Sequence, residues 1–367
     1  MKKIIVLGAG MVGSAIAVDL SKNYDVTSAD INLQNLSKLK KQKIKTIQGN
    51  ISDKEVLLNL VEDFDLIIGA VPGFMGYKTL RTVIEAGKDV VDISFFSEDP
   101  FELDSLAKRK NVTAVVDCGV APGLSNIILG YHNKRMKIDS FKCFVGGLPF
   151  KRIMPFQYKA PFSPVDVIEE YIRPARVVEN GVVVIKEALS EPELIEAEGV
   201  GTLEAFNTDG LRSLLKTMKI PFMSEKTLRY PGHIEIIKVL KQAGYFSDEE
   251  MDVNGVSVKP VDISAKLLFP LWKLDEDERE FTYLQFHIKG GKKEFTYRMF
   301  DSYNDRTKTS SMARTTGYTC AAAADLILKG KYKRKGISPP EYLGEDESCF
   351  LKIRSYLEER GIVLNEN

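Results

Sequence analysis

Along the first third of the chain, apolar residues arrive in short blocks, each followed by an amphipathic stretch. Ile4-Ile5-Val6-Leu7 is an unbroken apolar run with the length of a strand buried on both faces. Ser14 to Leu20 then takes a helical spacing, and Asp25 to Ala29 returns to a strand that ends at Asp30. The alternation continues with a polar helix over Leu33 to Lys41 and a short strand over Lys45 to Gln48. A helix over Lys54 to Val61 follows, with Ser52 or Asp53 placed to cap it. Next come a strand over Asp65 to Ala70, the loop Val71-Pro72-Gly73, and a helix over Tyr77 to Ala86 closed by Gly87 as a left-handed cap. Asp89 to Ile93 and Thr113 to Asp117 are the last two strands, and both end on a carboxylate. Apolar strands alternating with helices predict an α/β domain with a Rossmann-type, doubly wound parallel sheet.

That rhythm breaks near Cys118 to Gly123, where a helix over Leu124 to Tyr131 begins. Alternating stretches over Ser140 to Val145, Gly181 to Lys186, Thr202 to Phe206, Tyr283 to Lys289 and Lys293 to Met299 predict a mostly antiparallel sheet. Helices interrupt it at Pro164 to Tyr171, Leu211 to Met218 and Ile234 to Ala243, the first with Ser163 as cap and Pro164 at the first helical position. A small-residue helix from Ser311 to Lys329 is read as returning to the first domain. The expected division is a dinucleotide-binding domain over 1–124, a second α+β domain for substrate and dimerisation over 125–305, and a helical segment over 306–367.

Composition narrows the function classes. Lys+Arg and Asp+Glu number 51 each, which argues against a nucleic-acid or acidic-membrane partner held by net charge. No apolar run approaches the length of a membrane helix, and the amino terminus enters the first strand without a separate signal peptide. Cys118, Cys143, Cys320 and Cys349 stand far apart, and the three histidines lack metal-ligand spacing. The expectation is a cytoplasmic enzyme without a disulfide scaffold or a metal site.

The chemistry begins where the first strand ends. Gly8, Gly10 and Gly13 have G-x-G-x-x-G spacing, and with Met11 and Val12 they form a loop whose amides face a pyrophosphate at a helix start. Asp30 closes the second strand, where a carboxylate accepts hydrogen bonds from a ribose diol and repels a 2′-phosphate. With no arginine in Ile31-Asn32-Leu33, the expected cofactor is NAD. Asn50, in the turn that flanks an adenine, and Ala70, Val71 and Pro72, beyond the fourth strand, are further cofactor candidates. Asp92 and Asp117 share one edge of the sheet, and for the amine substrate that the family resemblance given below implies they are placed to hold the amine or to share its proton transfer. His233, after the Tyr230-Pro231-Gly232 turn, is the leading candidate for the base, projecting from an edge. The amino-acid substrate implied by the same resemblance brings a carboxylate, which calls for a guanidinium. Arg173 ranks first and Arg229 second, ahead of Arg176 and Arg212, with Tyr158 and Lys159 as further candidates to line that cleft. The basic run Lys331 to Lys335 reads as a solvated loop.

Longer segments carry a resemblance. They include Gly69 to Phe74, Val91-Asp92-Ile93-Ser94, Asp117 to Asn126, Gly146-Gly147-Leu148-Pro149, Ser163 to Arg176, Thr208 to Ser213 and Thr227 to His233. With these the chain resembles the saccharopine dehydrogenase (reductase)-like family, and within it the lysine 6-dehydrogenases most closely. The resemblance implies NAD-dependent oxidation of the lysine side-chain amine to the semialdehyde, which cyclises to a piperideine carboxylate, and a homodimer built through the second domain. It also places Cys118 at the cofactor, where an alanine-like residue is expected. Two other readings stand beside it: a dehydrogenase of a secondary amine such as saccharopine or carboxynorspermidine, and a dinucleotide-binding sensor without turnover.

Overall fold

The computed structural model describes residues 1–161, 164–275 and 278–366. The chain divides into two compact units, Met1–Lys137 with Met312–Val363, and Ile138–Ser311 with Leu364–Asn367.

The first unit opens with β1 (Lys3–Leu7), α1 (Met11–Leu20), β2 (Asp25–Asp30), α2 (Leu33–Lys41), β3 (Lys45–Gln48) and α3 (Lys54–Val61). It continues with β4 (Leu66–Gly69), α4 (Gly73–Glu85), β5 (Asp89–Asp92), α5 (Asp104–Arg109), β6 (Thr113–Val115) and α6 (Leu124–Asn133). Two predicted helix starts are visible as caps: Asn32 accepts from the Gln34 and Asn35 amides, and Asp53 from those of Glu55 and Val56. Gly87 takes the left-handed conformation expected of it, with φ 72°. One boundary differs. α4 starts at Gly73 rather than Tyr77, because Pro72 has the extended backbone that precedes a helix and Gly76 fits where a Cβ would meet Ser94 and Phe96 at 2.6 Å.

The second unit supplies β7 (Ser140–Pro149), α7 (Pro164–Ile172), β8 (Ala175–Glu179), β9 (Val182–Lys186), β10 (Glu193–Ala197), β11 (Gly201–Asn207), α8 (Leu214–Thr217) and β12 (Phe222–Arg229). Then follow α9 (His233–Gln242), β13 (Met251–Val253), β14 (Val256–Val258), α10 (Pro260–Trp272), β15 (Glu280–Gly290) and β16 (Lys293–Ser302). The chain ends with α11 (Ser311–Leu328), β17 (Gly336–Ser338), α12 (Pro340–Glu345), α13 (Glu347–Glu358) and β18 (Asn365–Glu366). The expected cap Ser163 lies outside the described residues.

The first sheet runs β17-β6-β5-β4-β1-β2-β3, with every pair parallel. Its order reverses direction at β1, the switch point at which such sheets take a dinucleotide. Ile5, Leu7, Ile67, Val90 and Ala114 pack with Leu57, Val61, Leu80, Val83 and Ile84 in one buried cluster. Each such aliphatic side chain contributes about 1.5–3 kcal/mol on full burial. β17 was not anticipated: it is three residues long and follows the basic run.

The second sheet runs β10-β11-β12-β7-β15-β16-β18, with β8 and β9 attached through β12. Its pairs are antiparallel except β12 with β7, so the mostly antiparallel expectation holds. Strand alternation divides β12 between two cores. Leu228 joins Phe144, Leu203 and Tyr283 in one cluster. On the other side Phe156, Tyr158, Tyr171, Phe206, Ile234, Leu268 and Trp272 form the second. The helix expected over Leu211 to Met218 shrinks to the single turn of α8, since Arg212 adopts φ 43° and interrupts it.

Candidate functional site

In the first unit the loop after β1 has the geometry of a phosphate cradle. Gly8 sits at φ +106°, and a Cβ there would lie 2.3 Å from the Ala70 carbonyl oxygen. Gly13 packs as tightly, 2.1 Å from ideal Cβ to the Gly8 oxygen, so the start of α1 is drawn against the loop. Gly10 and Met11 are exposed and Val12 is half-buried, which leaves the α1 amino terminus open to a ligand. Asp30 Oδ2 accepts from the Ala9 amide at 2.6 Å, and Oδ1 from the Asn32 amide at 2.7 Å. A carboxylate has about four acceptor positions, so two amides leave Asp30 capacity for a ribose diol. These residues fit a nicotinamide dinucleotide. Asn50 is exposed with its Oδ1 on the Ser52 amide, and Ala70, Val71 and Pro72 lie directly beyond β4. Cys118 stands just beyond β6. It is fully buried, its Sγ directed at the Thr319 carbonyl, and burial together with the Asp117 and Asp92 charges raises its thiol pKa.

Asp92 and Asp117 are both buried at the carboxyl edge of the sheet, where β5 and β6 lie side by side. Asp92 Oδ1 accepts from the Ser94 amide at 2.9 Å, and its own carbonyl accepts from the Cys118 amide at 3.1 Å. Asp117 is held at φ 53°, a backbone conformation that costs a non-glycine residue of order 1 kcal/mol.

In the second unit β12, α7 and α9 converge on one buried chain of hydrogen bonds. Arg229 Nη2 donates to Glu170 at 2.9 Å, and its Nε donates to Tyr171 Oη at 3.1 Å. Tyr171 Oη lies 2.9 Å from His233 Nε2, and His233 Nδ1 lies 2.8 Å from the Phe156 carbonyl. A carbonyl only accepts, so Nδ1 carries the ring proton and Nε2 accepts the Tyr171 hydroxyl, which in turn accepts from Arg229. The guanidinium also lies 4.2 Å over the Tyr158 ring. His233 is fully buried rather than projecting from an edge. Burial and the Arg229 charge lower its pKa to about 3, so the imidazole is neutral with both nitrogens occupied. The Tyr230-Pro231-Gly232 turn, with Gly232 at φ +92°, directs the ring inward instead.

The arginines separate by partner. Arg176 forms a fork with Asp209, Nε to Oδ1 at 2.8 Å and Nη2 to Oδ2 at 2.7 Å, so it is taken up by the fold. Arg173, half-buried at the end of α7, reaches Glu169 across a longer 3.4 Å. Lys159 bends onto the Lys273 carbonyl at 3.0 Å, and Tyr158 is buried. The described part of each unit thus groups Gly8 to Gly13, Asp30, Asp92 and Asp117 in one, and Tyr158, Lys159, Arg173, Arg229 and His233 in the other.

Comparison with known proteins gives this arrangement a family. The model of the saccharopine dehydrogenase NADP binding domain matches residues 4–115, and that of the saccharopine dehydrogenase C-terminal domain matches residues 119–362. The chain belongs to the saccharopine dehydrogenase family. The mitochondrial alpha-aminoadipic semialdehyde synthase of Rattus norvegicus is 29% identical over 194 residues, covering 50% of this chain and 21% of that protein. The chain therefore spans about a fifth of the length of that relative. The saccharopine dehydrogenase [NADP(+), L-glutamate-forming] of Saccharomyces cerevisiae is 26% identical over 279 residues, covering 71% of this chain and 61% of the relative. The solved apo saccharopine dehydrogenase (L-Glu forming) from Saccharomyces cerevisiae shares the fold, with TM-score 0.79 and 21% identity over 100% of this chain and 99% of that one. No helix among the described residues is long and apolar enough to cross a membrane.

For a saccharopine dehydrogenase family fold, one buried acid went unforeseen. Glu225, two residues before Thr227 on β12, is buried beside Gly210, whose absent Cβ would lie 1.5 Å from Glu225 Oε2. The Thr208 hydroxyl donates to it at 3.2 Å. Burial first, then the Glu170 charge, raises its pKa to about 8. The sequence carried no local signal for it, since Glu225 stands between Ser224 and Lys226 in a polar stretch. As pH rises from about 4.5 to about 8, the unfolded chain releases this proton while the folded chain keeps it, so stability falls across that window. Glu225→Gln is expected to remove this slope, gaining on wild type by on the order of 2–4 kcal/mol between the two ends of the window. Urea unfolding of both proteins across that range checks it, and parallel curves for the two would contradict it.

Proposed function

We propose that the protein is an NAD-dependent dehydrogenase that oxidises the side-chain amine of L-lysine to 2-aminoadipate 6-semialdehyde with release of ammonia. The observation that carries this reading is the pair of buried carboxylates, Asp92 and Asp117, at the same sheet edge as the glycine loop and Asp30. When bound, the nicotinamide accepts the hydride from the carbon bearing the amine. An ammonium has no lone pair to release that hydride, so a residue must first take its proton. Asp92 and Asp117 take this part and hold the cation beforehand. One carboxylate keeps the proton taken from the amine while the other takes a proton from the water that adds to the iminium. A proton then returns to the carbinolamine nitrogen as its hydroxyl gives one up, ammonia leaves, and the aldehyde cyclises onto the α-amine. Arg173 binds the substrate carboxylate, and Tyr158, Lys159 and Arg229 shape its surroundings. His233 acts behind them as a positioning residue, because its nitrogens hold Tyr171 and the Phe156 carbonyl. Asp30 selects NAD, although the matching domain family and the yeast relative are described with NADP.

The test mixes protein and NAD with lysine, saccharopine or carboxynorspermidine and follows NADH and free ammonia. NADH with ammonia from lysine alone supports the proposal. NADH without ammonia assigns secondary-amine chemistry, and silence with every amine despite NAD binding assigns a sensor.

A further inference from the structure

α11 reaches the glycine loop from far along the chain. Gly317 rests on the first turns of α1, where its ideal Cβ would lie 3.2 Å from Ile16, 3.5 Å from the Val12 carbonyl oxygen and 3.6 Å from Ala15. On the side toward β6, the Thr319 carbonyl faces the Cys118 thiol. Thr316 meets the same segment, its Cγ2 lying 3.3 Å from where a Gly119 Cβ would stand. The helix therefore runs between the glycine loop and the residues that follow β6, all within the first unit. From Ser311 to Leu326 every residue is buried except Thr316.

The Thr316 hydroxyl is also set differently from its neighbours. Thr315 and Thr319 turn theirs back onto carbonyls of their own helix, those of Met312 and Thr315. Thr316 instead directs its hydroxyl at the Met312 sulfur, 3.5 Å away. A thioether has no hydrogen to donate, so the hydroxyl hydrogen goes to the sulfur and the oxygen lone pairs are left to accept.

The order of the sheet says which part of a dinucleotide comes here. With the pyrophosphate on the loop after β1 and one ribose at Asp30, at the end of β2, the nicotinamide extends the other way, over β4, β5 and β6. The second ribose stays near the glycine loop, whereas Thr316 stands against Gly119 beyond β6, at the far end of that path. The far end of the cofactor is a carboxamide, whose NH2 is a donor. We infer that Thr316 is a further cofactor-binding residue, its hydroxyl accepting a hydrogen bond from the nicotinamide carboxamide. This rests on the reading of the first unit as a dinucleotide site, and not on which amine is oxidised.

Calorimetric titration of the full chain tests it with three probes: NADH, ADP-ribose, and the reduced 3-acetylpyridine analogue, whose methyl ketone lacks the amide N–H. Thr316→Val keeps the shape of the side chain and should weaken NADH binding about 3–10-fold, the worth of one neutral hydrogen bond. Thr316→Ser keeps the hydroxyl and should bind NADH as wild type does. ADP-ribose has no nicotinamide, so wild type and both variants should bind it equally, which a distorted α11 would not allow. The acetylpyridine analogue should bind wild type more weakly than NADH, and in Thr316→Val that gap should shrink by the factor lost for NADH. Unchanged NADH affinity in Thr316→Val, or an equal loss for ADP-ribose, would overturn the inference and leave the dinucleotide site standing. A wild type that binds neither NADH nor ADP-ribose would overturn both.

Discussion

Arg229→Met is expected to destabilise the protein by about 3–5 kcal/mol, the cost of leaving one member of a buried ion pair alone. The substitution keeps most of the side-chain volume, so the loss reports charge and hydrogen bonding rather than a cavity. Glu170 would lose its 2.9 Å partner, Tyr171 its donor, and the Tyr158 face its cation. Glu170 is the more vulnerable, because burial already raises its pKa and Arg229 is the main opposing influence. Equilibrium urea unfolding at neutral pH gives the loss directly. A double-mutant cycle with Glu170→Gln should show strong coupling, the pair of changes costing well below the sum of the single ones. A loss under about 1 kcal/mol would mean that the guanidinium is not the centre of this core.

Asp30→Ala should weaken NAD binding by about 10–100-fold, the loss of one or two hydrogen bonds to a charged acceptor. NADP binding should change little or improve, because the carboxylate that repels a 2′-phosphate has gone. Fluorescence titration with each reduced cofactor separates the two. An equal loss for both would place ribose discrimination elsewhere. Asp30→Asn should be milder in its structural effect, since an amide oxygen still accepts from the Ala9 N–H. The alanine variant removes the bond to the Ala9 amide in the glycine loop together with the proposed ribose contact.

The parallel half was readable from sequence because β1 and β4 carry unbroken apolar runs and each turn carries its own chemistry. Asn32, Asp53 and Gly87 mark ends by hydrogen bonding or by a left-handed backbone, effects that act within a few residues. β12 resisted because Glu225, Lys226, Thr227 and Arg229 interrupt the alternation a strand should show. Their partners, among them Glu170 and Thr208, are distant in sequence, so nothing local accounts for polar residues in that place. α10 was hidden for a different reason: Pro270 lies inside it, and apolar residues line both its sides. At the site, the glycine loop and Asp30 were legible as a motif. The inward turn of His233 was not, since its burial depends on Tyr171 and Phe156 closing over it.

The pairing of β17 with β6 has a consequence for the newborn chain. Thr113 meets Gly336 across the entire length of the second unit. During synthesis six strands of the parallel sheet are complete while the seventh has not yet left the ribosome. The outer side of β6 then presents unsatisfied amides and carbonyls over an apolar segment, a template for pairing with the wrong chain. Only when β17 arrives is that border closed.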